Sequence, residues 1–284
     1  MSTVRATGLP ILVAAVLAAV AGCGGEAAER RSQESDRSRE TTSSPPGLEG
    51  SRAVSFRRPD GIRLEGRVFG EGRTGVVLLH GYDSSGASGQ DEWFPFAPVL
   101  KQEGYRVLTF NFQGYCPGHD YGCSKGHLNA DDTWRDVGPA VDFLHSEGVD
   151  TVFLVGASMG GMMAVYAAAQ PDVEVAGVVT LSTPRVGRGV GTKYVDPSEA
   201  ERGLRLTDAV VRAIAEPKLF VVGKYEDFVR DAVTMYRTAA PPKRLVVLPT
   251  GAHGSDALTG RVAYDPKLEA RARKLLLAFL ARNR

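Results

Sequence analysis

The sequence predicts an α/β fold with a mostly parallel central sheet that is covered by helices on both faces. Short, continuously apolar runs of the kind found in buried parallel strands recur along the chain, and helical patterns lie between them. Strands that alternate with helices imply βαβ units, which place helices on both sides of a sheet. The part predicted to fold, residues 51–284, has the length of one large domain of this class.

Residues 1–22 have the pattern of an export signal. Arg5 supplies a positive charge near the start, and the apolar run 9–20 is shorter than the roughly 20 residues of a permanent membrane-spanning helix. Residues 20–23, Val-Ala-Gly-Cys, resemble the lipobox of bacterial lipoproteins, in which small residues precede a cysteine. The resemblance implies that Cys23 is lipidated and anchors an exported protein at the extracytoplasmic face of the cell membrane. A short anchor helix and ordinary secretion are the alternatives.

Residues 23–50 predict a tether between the lipid and the folded domain. They carry almost no bulky apolar side chain, so they cannot bury enough surface to offset the entropy lost on ordering. The full chain has 34 Lys+Arg and 33 Asp+Glu, and removal of the signal with Arg5 leaves 33 of each sign. A formally neutral protein has no basic field to attract DNA or RNA, so we expect no nucleic-acid partner.

The predicted strands and helices follow in chain order. Residues 54–58 and 62–69, joined by Pro59-Asp60-Gly61, predict an antiparallel hairpin at the start of the sheet. Apolar runs predict buried strands at 76–79, 107–112, 152–155, 175–181, 219–222 and 245–248. Helical patterns occupy 93–103, 131–147, 159–169 and 268–280. Only 36 residues separate Leu181 from Lys218, which limits any cap over the sheet to a small one.

The strongest functional signal is a G-x-S-x-G sequence at residues 156–160, between an apolar strand and a helix of small residues. A sharp turn here would force Ser158 into an unfavourable backbone conformation, and Gly156 and Gly160 would stand where no side chain fits. The turn would lift the Ser158 hydroxyl out of the sheet, close to a helix N-terminus that favours negative charge. We predict Ser158 as a nucleophile, and a helix N-cap serine is the alternative.

His80-Gly81-Tyr82 directly follows the strand 76–79. With the serine motif, this segment makes the chain resemble α/β-hydrolases of the lipase, esterase and acylglycerol-lipase types over nearly the whole domain. The resemblance implies the α/β-hydrolase fold and an oxyanion hole made by the backbone N–H groups of Tyr82 and Met159. Loss of one such donor typically raises the barrier by about 3–4 kcal/mol. His80 is expected to brace the loop, and a role as the catalytic base is the alternative.

His253 is the predicted base, in a glycine-rich loop just past the strand 245–248. It follows Ser158 in the chain, in the order Ser…Asp/Glu…His of this family. The other histidines all precede Ser158: His80, His119, His127 and His145. Asp227 is the predicted acid, because the segment after the strand 219–222 resembles the family's G-x-x-D loop. Glu226 and Asp231 are close enough in sequence to be alternatives to it.

Cys116 and Cys123 lie close together in a loop rich in Gly and Pro. In an exported chain they predict a disulfide, which would stabilise the fold by about 2.5 kcal/mol. One alternative is a metal site that uses His119, His127 and the two cysteines, and the other is two free thiols. The same loop reads Asp-x-Arg-Gly-His-Gly in many relatives, whereas residues 111–116 here read Asn-Phe-Gln-Gly-Tyr-Cys. The disulfide is therefore expected to brace this wall in place of the lost charges.

These residues predict a serine hydrolase that cleaves carboxylic esters through an acyl-enzyme, with no metal or organic cofactor. Anchoring at the membrane suggests lipid or cell-envelope esters as substrates. Trp93, Phe94 and Phe96 could form a wall of the site or pack a helix against the sheet. A peptidase or amidase on the same fold, and a non-catalytic envelope-binding protein, are the alternative functions.

Overall fold

The computed structural model describes residues 47–83, 85–118, 121–187, 203–260 and 265–284. The predicted signal, the lipidated Cys23 and nearly all of the predicted tether lie outside these residues. Eight strands form one sheet in the described part: β1 Ser51–Arg57, β2 Arg63–Phe69, β3 Thr74–Leu79, β4 Arg106–Phe110, β5 Thr151–Ala157, β6 Gly177–Leu181, β7 Lys218–Gly223 and β8 Lys243–Leu248.

The strand order is β1-β2-β4-β3-β5-β6-β7-β8. Strands β1 and β2 pair as an antiparallel hairpin, and β2 is also antiparallel to β4. All pairs from β4 to β8 are parallel. The predicted fold class and the N-terminal hairpin are therefore confirmed.

Helices cover both faces of this sheet: α1 Ala97–Gln102, α2 Val137–Ser146, α3 Met159–Ala168, α4 Asp208–Ala213, α5 Val229–Thr238, α6 Asp256–Thr259 and α7 Pro266–Asn283. The predicted helices 93–103 and 131–147 each split into a 3-10 turn followed by an α-helix. Proline explains both breaks, because Pro98 and Pro139 lie in the first turns of α1 and α2, where a missing N–H is tolerated. The sequence reasoning did not predict α4, α5 or α6.

Two apolar clusters pack against opposite faces of the sheet. Side chains alternate along a strand, so Val77 and Leu79 of β3 join one cluster while Val76 and Leu78 join the other. Helices α2 and α3 lie in the first cluster. The second holds α7 together with Trp93, Phe94 and Phe96, all buried. These three aromatic residues therefore pack the core and do not form a wall of the site.

The parallel strands β3 to β8 end at the same edge of the sheet, which is where open α/β sheets bind ligands. His80, Ser158 and Ser182 each directly follow one of these strands, and the loop with His253 follows β8. The edge therefore collects the polar side chains from segments that are distant in sequence. Among the described residues, none of the helices combines the length and apolar character that crossing a bilayer requires.

Candidate active site

Ser158 occupies the turn between β5 and α3 with φ 52° and ψ −116°. A non-glycine residue at positive φ is strained, typically by about 1–3 kcal/mol. The turn is held because Ser158 N donates to Leu181 O over 2.8 Å, and Gly161 N donates to Ser158 O over 3.1 Å. The Ser158 side chain makes no capping hydrogen bond to the helix. The structure thus favours a half-buried hydroxyl that is not used as a helix cap over the N-cap interpretation.

The glycines of the motif are required by close approaches of the backbone. A Cβ atom on Gly156 would lie 2.2 Å from Gly160 O, and one on Gly160 would lie 2.1 Å from Leu79 O. A Cβ atom on Gly161 would lie 1.8 Å from Thr183 Oγ1. The crowding at Gly160 comes from the end of β3, whereas the crowding at Gly156 comes from the first turn of α3.

His253 lies in the turn between β8 and α6, with its side chain 43% exposed. Its Nδ1 is 2.8 Å from Glu226 Oε1, and its ring lies 5.2 Å from the ring of Phe228. Gly254, at φ 58°, brings this turn against the serine motif, because a Cβ atom there would lie 3.9 Å from Ser158 N. The fold therefore places the loop of His253 beside the turn of Ser158.

Glu226, and not Asp227, is the hydrogen-bond partner of His253. The Glu226 side chain is 4% exposed, and its second oxygen accepts from Ser182 Oγ over 2.6 Å and from Gly223 N over 2.7 Å. The predicted Asp227 is exposed and turned toward a cavity, and the alternative Asp231 accepts from Arg185 N. The prediction of Asp227 as the partner is therefore wrong.

The physical reason lies in the turn that follows β7. Lys224 N donates to Leu248 O and Tyr225 N donates to Thr250 O, which ties the turn to the end of β8. Within this tight turn, adjacent side chains point in different directions. Glu226 points inward to the imidazole and Asp227 outward. Spacing along the sequence does not distinguish two adjacent acids, because their separations from His253 differ by one residue.

Ser182 is a residue that the sequence reasoning missed. It directly follows β6, is buried, and has φ 51°, which makes it, with Ser158, one of two non-glycine residues at positive φ in the described chain. Its hydroxyl holds the Glu226 carboxylate, and its backbone N–H donates to Val221 O over 2.9 Å. A single serine after an apolar strand gives no specific signal in a sequence.

The predicted oxyanion-hole residues belong to two segments, the loop after β3 and the start of α3. Met159 is the first residue of α3, where backbone N–H groups have no acceptor within the helix. Tyr82 and Met159 line the same cavity as Ser158. Gly81 N donates to Glu92 Oε2 over 2.9 Å, which anchors the start of the Tyr82 loop.

Asp83 anchors the rest of the Tyr82 loop. Its carboxylate accepts hydrogen bonds from the backbone and side chains of Ser85 and Ser88. Burial alone would raise the pKa of Asp83, but these hydrogen bonds outweigh it and lower the pKa to about 2. The carboxylate is therefore ionised at neutral pH and holds the loop in one conformation.

His80 is buried and bridges two segments below the site. Phe112 N donates to its Nε2 over 3.1 Å, which leaves the proton on Nδ1 to donate to Gly81 O over 2.7 Å. Burial lowers the pKa of His80 to about 4, so the ring is neutral at physiological pH. These contacts support the bracing role and leave no nitrogen for proton transfer with Ser158.

The loop after β4 forms another wall of this region. A disulfide joins Cys116 and Cys123, as predicted. Cys116 N donates to Gly86 O over 2.8 Å, so the bridged loop is attached to the Tyr82 loop. Of the proposed metal ligands, His119 lies outside the described residues and His127 is exposed. Within the described ranges, no group of three or more His, Cys, Asp or Glu side chains is arranged to hold a metal ion.

Tyr115, next to Cys116, is buried beneath the site. Its ring lies edge-on to His80, with centroids 4.5 Å apart. Its hydroxyl accepts from Asp83 N over 3.4 Å and lies 3.8 Å from Met159 Sδ. The phenol therefore touches both segments that carry the predicted oxyanion-hole donors.

A cavity of about 240 Å³ opens beside Ser158. Three methionines of α3 and residues of the cap between β6 and β7 form much of its lining. The lining residues are Tyr82, Ala130, Asp131, Ser158, Met159, Met162, Met163, Pro184, Val186, Gly187, Leu204, Asp227 and Phe228. An apolar cavity with a few polar groups next to a reactive side chain is typical of a small-molecule site.

Comparisons with known sequences find relatives over part of this chain. Epoxide hydrolase B of Mycobacterium tuberculosis is 37% identical over 116 residues, which cover 40% of this chain and 30% of that protein. Protein phosphatase methylesterase 1 of Mus musculus is 32% identical over 106 residues, which cover 36% of this chain and 26% of that protein. The chain thus spans less than a third of the length of these two curated relatives.

Solved structures extend the similarity to most of the chain. Esterase Pf2001 of Pyrococcus furiosus has a TM-score of 0.63 at 20% identity, over 82% of this chain and 92% of that one. The esterase EaEST of Exiguobacterium antarcticum has a TM-score of 0.61 at 17% identity, over 80% and 99%. At these identities the likeness shows the shared fold alone. Because residues 75–219, half of the chain, match the family described as alpha/beta hydrolase fold, the chain belongs to that family.

Proposed function

We propose that this protein is a serine hydrolase that cleaves carboxylic esters through an acyl-enzyme intermediate. The observation that carries the proposal is the strained turn of Ser158, which stands next to the loop of an imidazole that is paired with a buried carboxylate. A hydroxyl becomes a useful nucleophile when an adjacent base removes its proton and a third group orients that base. Ser158, His253 and Glu226 supply these three roles.

The reaction then proceeds in two steps. His253 takes the proton of Ser158 while the hydroxyl oxygen attacks the ester carbonyl, and Glu226 fixes the imidazole tautomer and stabilises the imidazolium. The backbone N–H groups of Tyr82 and Met159 stabilise the negative charge on the carbonyl oxygen. The alcohol leaves with the proton from His253. Water, activated by the same imidazole, releases the acid and restores the serine.

A serine at this turn favours esters over epoxides, the substrates in the name of one relative. Attack of Ser158 Oγ on an epoxide carbon would leave an ether, which water does not cleave under conditions that resolve an acyl-enzyme. A carboxylate nucleophile would instead leave a hydrolysable ester. The name of the methylesterase relative is in accord with ester chemistry.

The cavity supports a short bound group. Its volume of about 240 Å³ lies below the roughly 300–1,000 Å³ that is usual for sites of drug-sized ligands. The export signal and the lipobox-like segment at Cys23 support a position at the extracytoplasmic face of the cell membrane, where lipid or cell-envelope esters would be within reach. Both the location and the anchor belong to the proposal.

The proposal is tested by covalent labelling and by turnover. We expect a fluorophosphonate probe to label the wild-type protein at Ser158 and to leave Ser158→Ala unlabelled. Ser146→Ala, which changes an exposed serine far from the turn, is the matched control and should label normally. A panel of esters with graded acyl length, each beside its amide, then separates the activities. Labelling of Ser158→Ala would show that another residue is the nucleophile. Cleavage of amides alone would favour a peptidase or amidase.

A further inference from the structure

The cavity beside Ser158 carries charge of one sign in the part of its lining that the structure describes. Asp131 and Asp227 are its charged side chains, and the rest of that lining is apolar or uncharged. Both aspartates are exposed, so they stand at the solvent side of the cavity. The aromatic rings of Tyr82 and Phe228 lie in the same lining.

Asp131 is fixed in place by the cap. Its Oδ1 accepts from Leu204 N over 2.8 Å, and its own backbone N–H donates to Asn129 Oδ1 over 3.1 Å. Leu204 lies beside the isolated bridge between Val186 and Arg205, which joins the two described segments between β6 and β7. The carboxylate therefore stays at the cavity in one orientation.

Asp227 reaches the cavity from a different segment, the turn after β7. It directly follows Glu226 there, is exposed, and lines the cavity together with Phe228. Because Glu226 makes the contact with His253, Asp227 is available to act on whatever enters the cavity.

The guanidinium of Arg185, between the cap residues Pro184 and Val186, is already paired. It donates to Leu206 O over 2.9 Å and to Asp208 Oδ1 over 2.6 Å. Its positive charge is therefore directed to α4 and away from the two aspartates at the cavity.

We propose that this cavity selects esters whose bound group is short and either neutral or cationic, and that Asp131 and Asp227 discriminate against an anionic group. The inference rests on the proposed ester hydrolysis. Two carboxylates repel a substrate carboxylate that enters the cavity, and they attract an ammonium group. Tyr82 and Phe228 add aromatic faces, to which quaternary ammonium groups bind well.

The test compares substrates of matched shape and different charge, and it does so at each end of the ester. The first series has methyl esters of 4-(trimethylammonio)butanoate, of its neutral carbon analogue 5,5-dimethylhexanoate, and of glutarate as the monoester. The second has butanoate esters of choline, of 3,3-dimethylbutanol and of 2-hydroxyethanesulfonate. Hydrolysis is followed by titration of the released acid, in low and high salt.

For the wild-type protein we expect kcat/KM to be at least tenfold lower for the anionic ester than for the neutral ester in one of the two series. The series that shows this difference identifies whether the acyl or the alcohol part of the ester occupies the cavity. Asp131→Asn and Asp227→Asn should each reduce this ratio about two- to fivefold, the size expected of a partly exposed charge pair. High salt should reduce it as well, because salt screens exposed charges. Asp172→Asn, which changes a carboxylate outside this cavity, is the control and should leave the ratio unchanged.

The two proposals fail in different ways. If no ester of either series is hydrolysed, whatever its charge, ester hydrolysis itself is overturned. If neutral and anionic esters are hydrolysed equally well, or if the two Asn variants keep the wild-type ratio, ester hydrolysis stands and charge selection is overturned.

Discussion

The turn that carries Ser158 and the loop after β4 both border the site, but different interactions hold them in place. In the turn, residues 156–161, backbone atoms of β3, β5 and α3 approach so closely that Gly156 and Gly160 have no room for a Cβ atom. The loop, in its described residues 111–118 and 121–125, is held in part by side chains of distant segments, among them His80, Glu65 and Asp136. Crowding of backbone atoms fixes the first region, whereas the second depends more on individual side chains.

This difference affects what each region contributes to the reaction. The turn presents the nucleophile directly, so a change there should alter the chemical step by orders of magnitude. The loop supports His80 and the Tyr82 loop from below, so changes in it should affect stability and the position of the oxyanion hole. We therefore expect substitutions in the loop to have smaller effects on kcat than substitutions that affect the turn.

The largest effect in this comparison is expected from Glu226, which orients the base for the turn. Glu226→Gln keeps the shape of the side chain but removes the charge that stabilises the imidazolium, so kcat should fall about 10³–10⁴-fold. The factor by which kcat falls in Asp227→Asn should be at least a hundred times smaller than the factor in Glu226→Gln. Steady-state kinetics with a neutral ester measures both.

The outcome also decides between the two acids. A larger loss in Asp227→Asn than in Glu226→Gln would return the role of the acid to Asp227. Circular dichroism of both variants checks that the fold is intact, because Glu226 is buried and also accepts from Ser182 and Gly223.

The same contrast explains which features of the fold and the site could be predicted from the sequence. The strand before Ser158 and the glycines around it are local patterns, and they predicted the turn. The order of serine, acid and histidine along the chain predicted His253, and the alternation of apolar runs with helical patterns predicted the sheet. The choice of Glu226 over Asp227 depends on hydrogen bonds between the β7 turn and the end of β8, which no local pattern reports. The role of Ser182 follows only from its hydrogen bond to Glu226, which the sequence does not reveal.

The loop after β4 is a clearer case in which the local sequence does not predict the contacts. Gln113 stands where many relatives have an arginine. Its backbone N–H donates to the buried Asp136 over 2.7 Å, and the guanidinium beside that carboxylate comes from Arg58, in the turn between β1 and β2. Arg58 lies 78 residues before Asp136 and outside the loop, so the charge that it supplies has no signature in the loop itself.

The next largest effect is expected from the disulfide of this loop. Replacing Cys116 and Cys123 together by serine should lower the free energy of unfolding by about 2.5 kcal/mol, because the short loop gains freedom in the unfolded chain. Urea denaturation of the variant and of the wild type, each with and without reductant, measures the difference. Reductant should weaken the wild type alone, and equal stability of all four samples would contradict a stabilising bridge.

His80 joins the two regions and should make stability depend on pH. Its pKa is lowered to about 4 in the folded protein, from 6.5 in the unfolded chain, so the unfolded chain binds the proton first as the pH falls. The free energy of unfolding should therefore fall by about 2 kcal/mol through this group between pH 7 and pH 5. Urea denaturation across this range measures it.

The control for this dependence is a side chain that does not titrate. His80→Asn should be less stable at every pH, yet its free energy of unfolding should change by about 2 kcal/mol less between pH 7 and pH 5. The same pH slope in the variant and the wild type would assign the dependence to other groups.

The smallest effect is expected from the Tyr115 hydroxyl, which joins the loop to both proposed oxyanion-hole segments. Tyr115→Phe keeps the ring against His80 and removes only the contacts to Asp83 N and Met159 Sδ. Neutral hydrogen bonds of this kind contribute about 1 kcal/mol, so kcat should fall about three- to tenfold with little change in KM. A hydroxyl that only stabilises the fold would lower the melting temperature and leave kcat unchanged, and that result would separate the loop from the chemistry of Ser158.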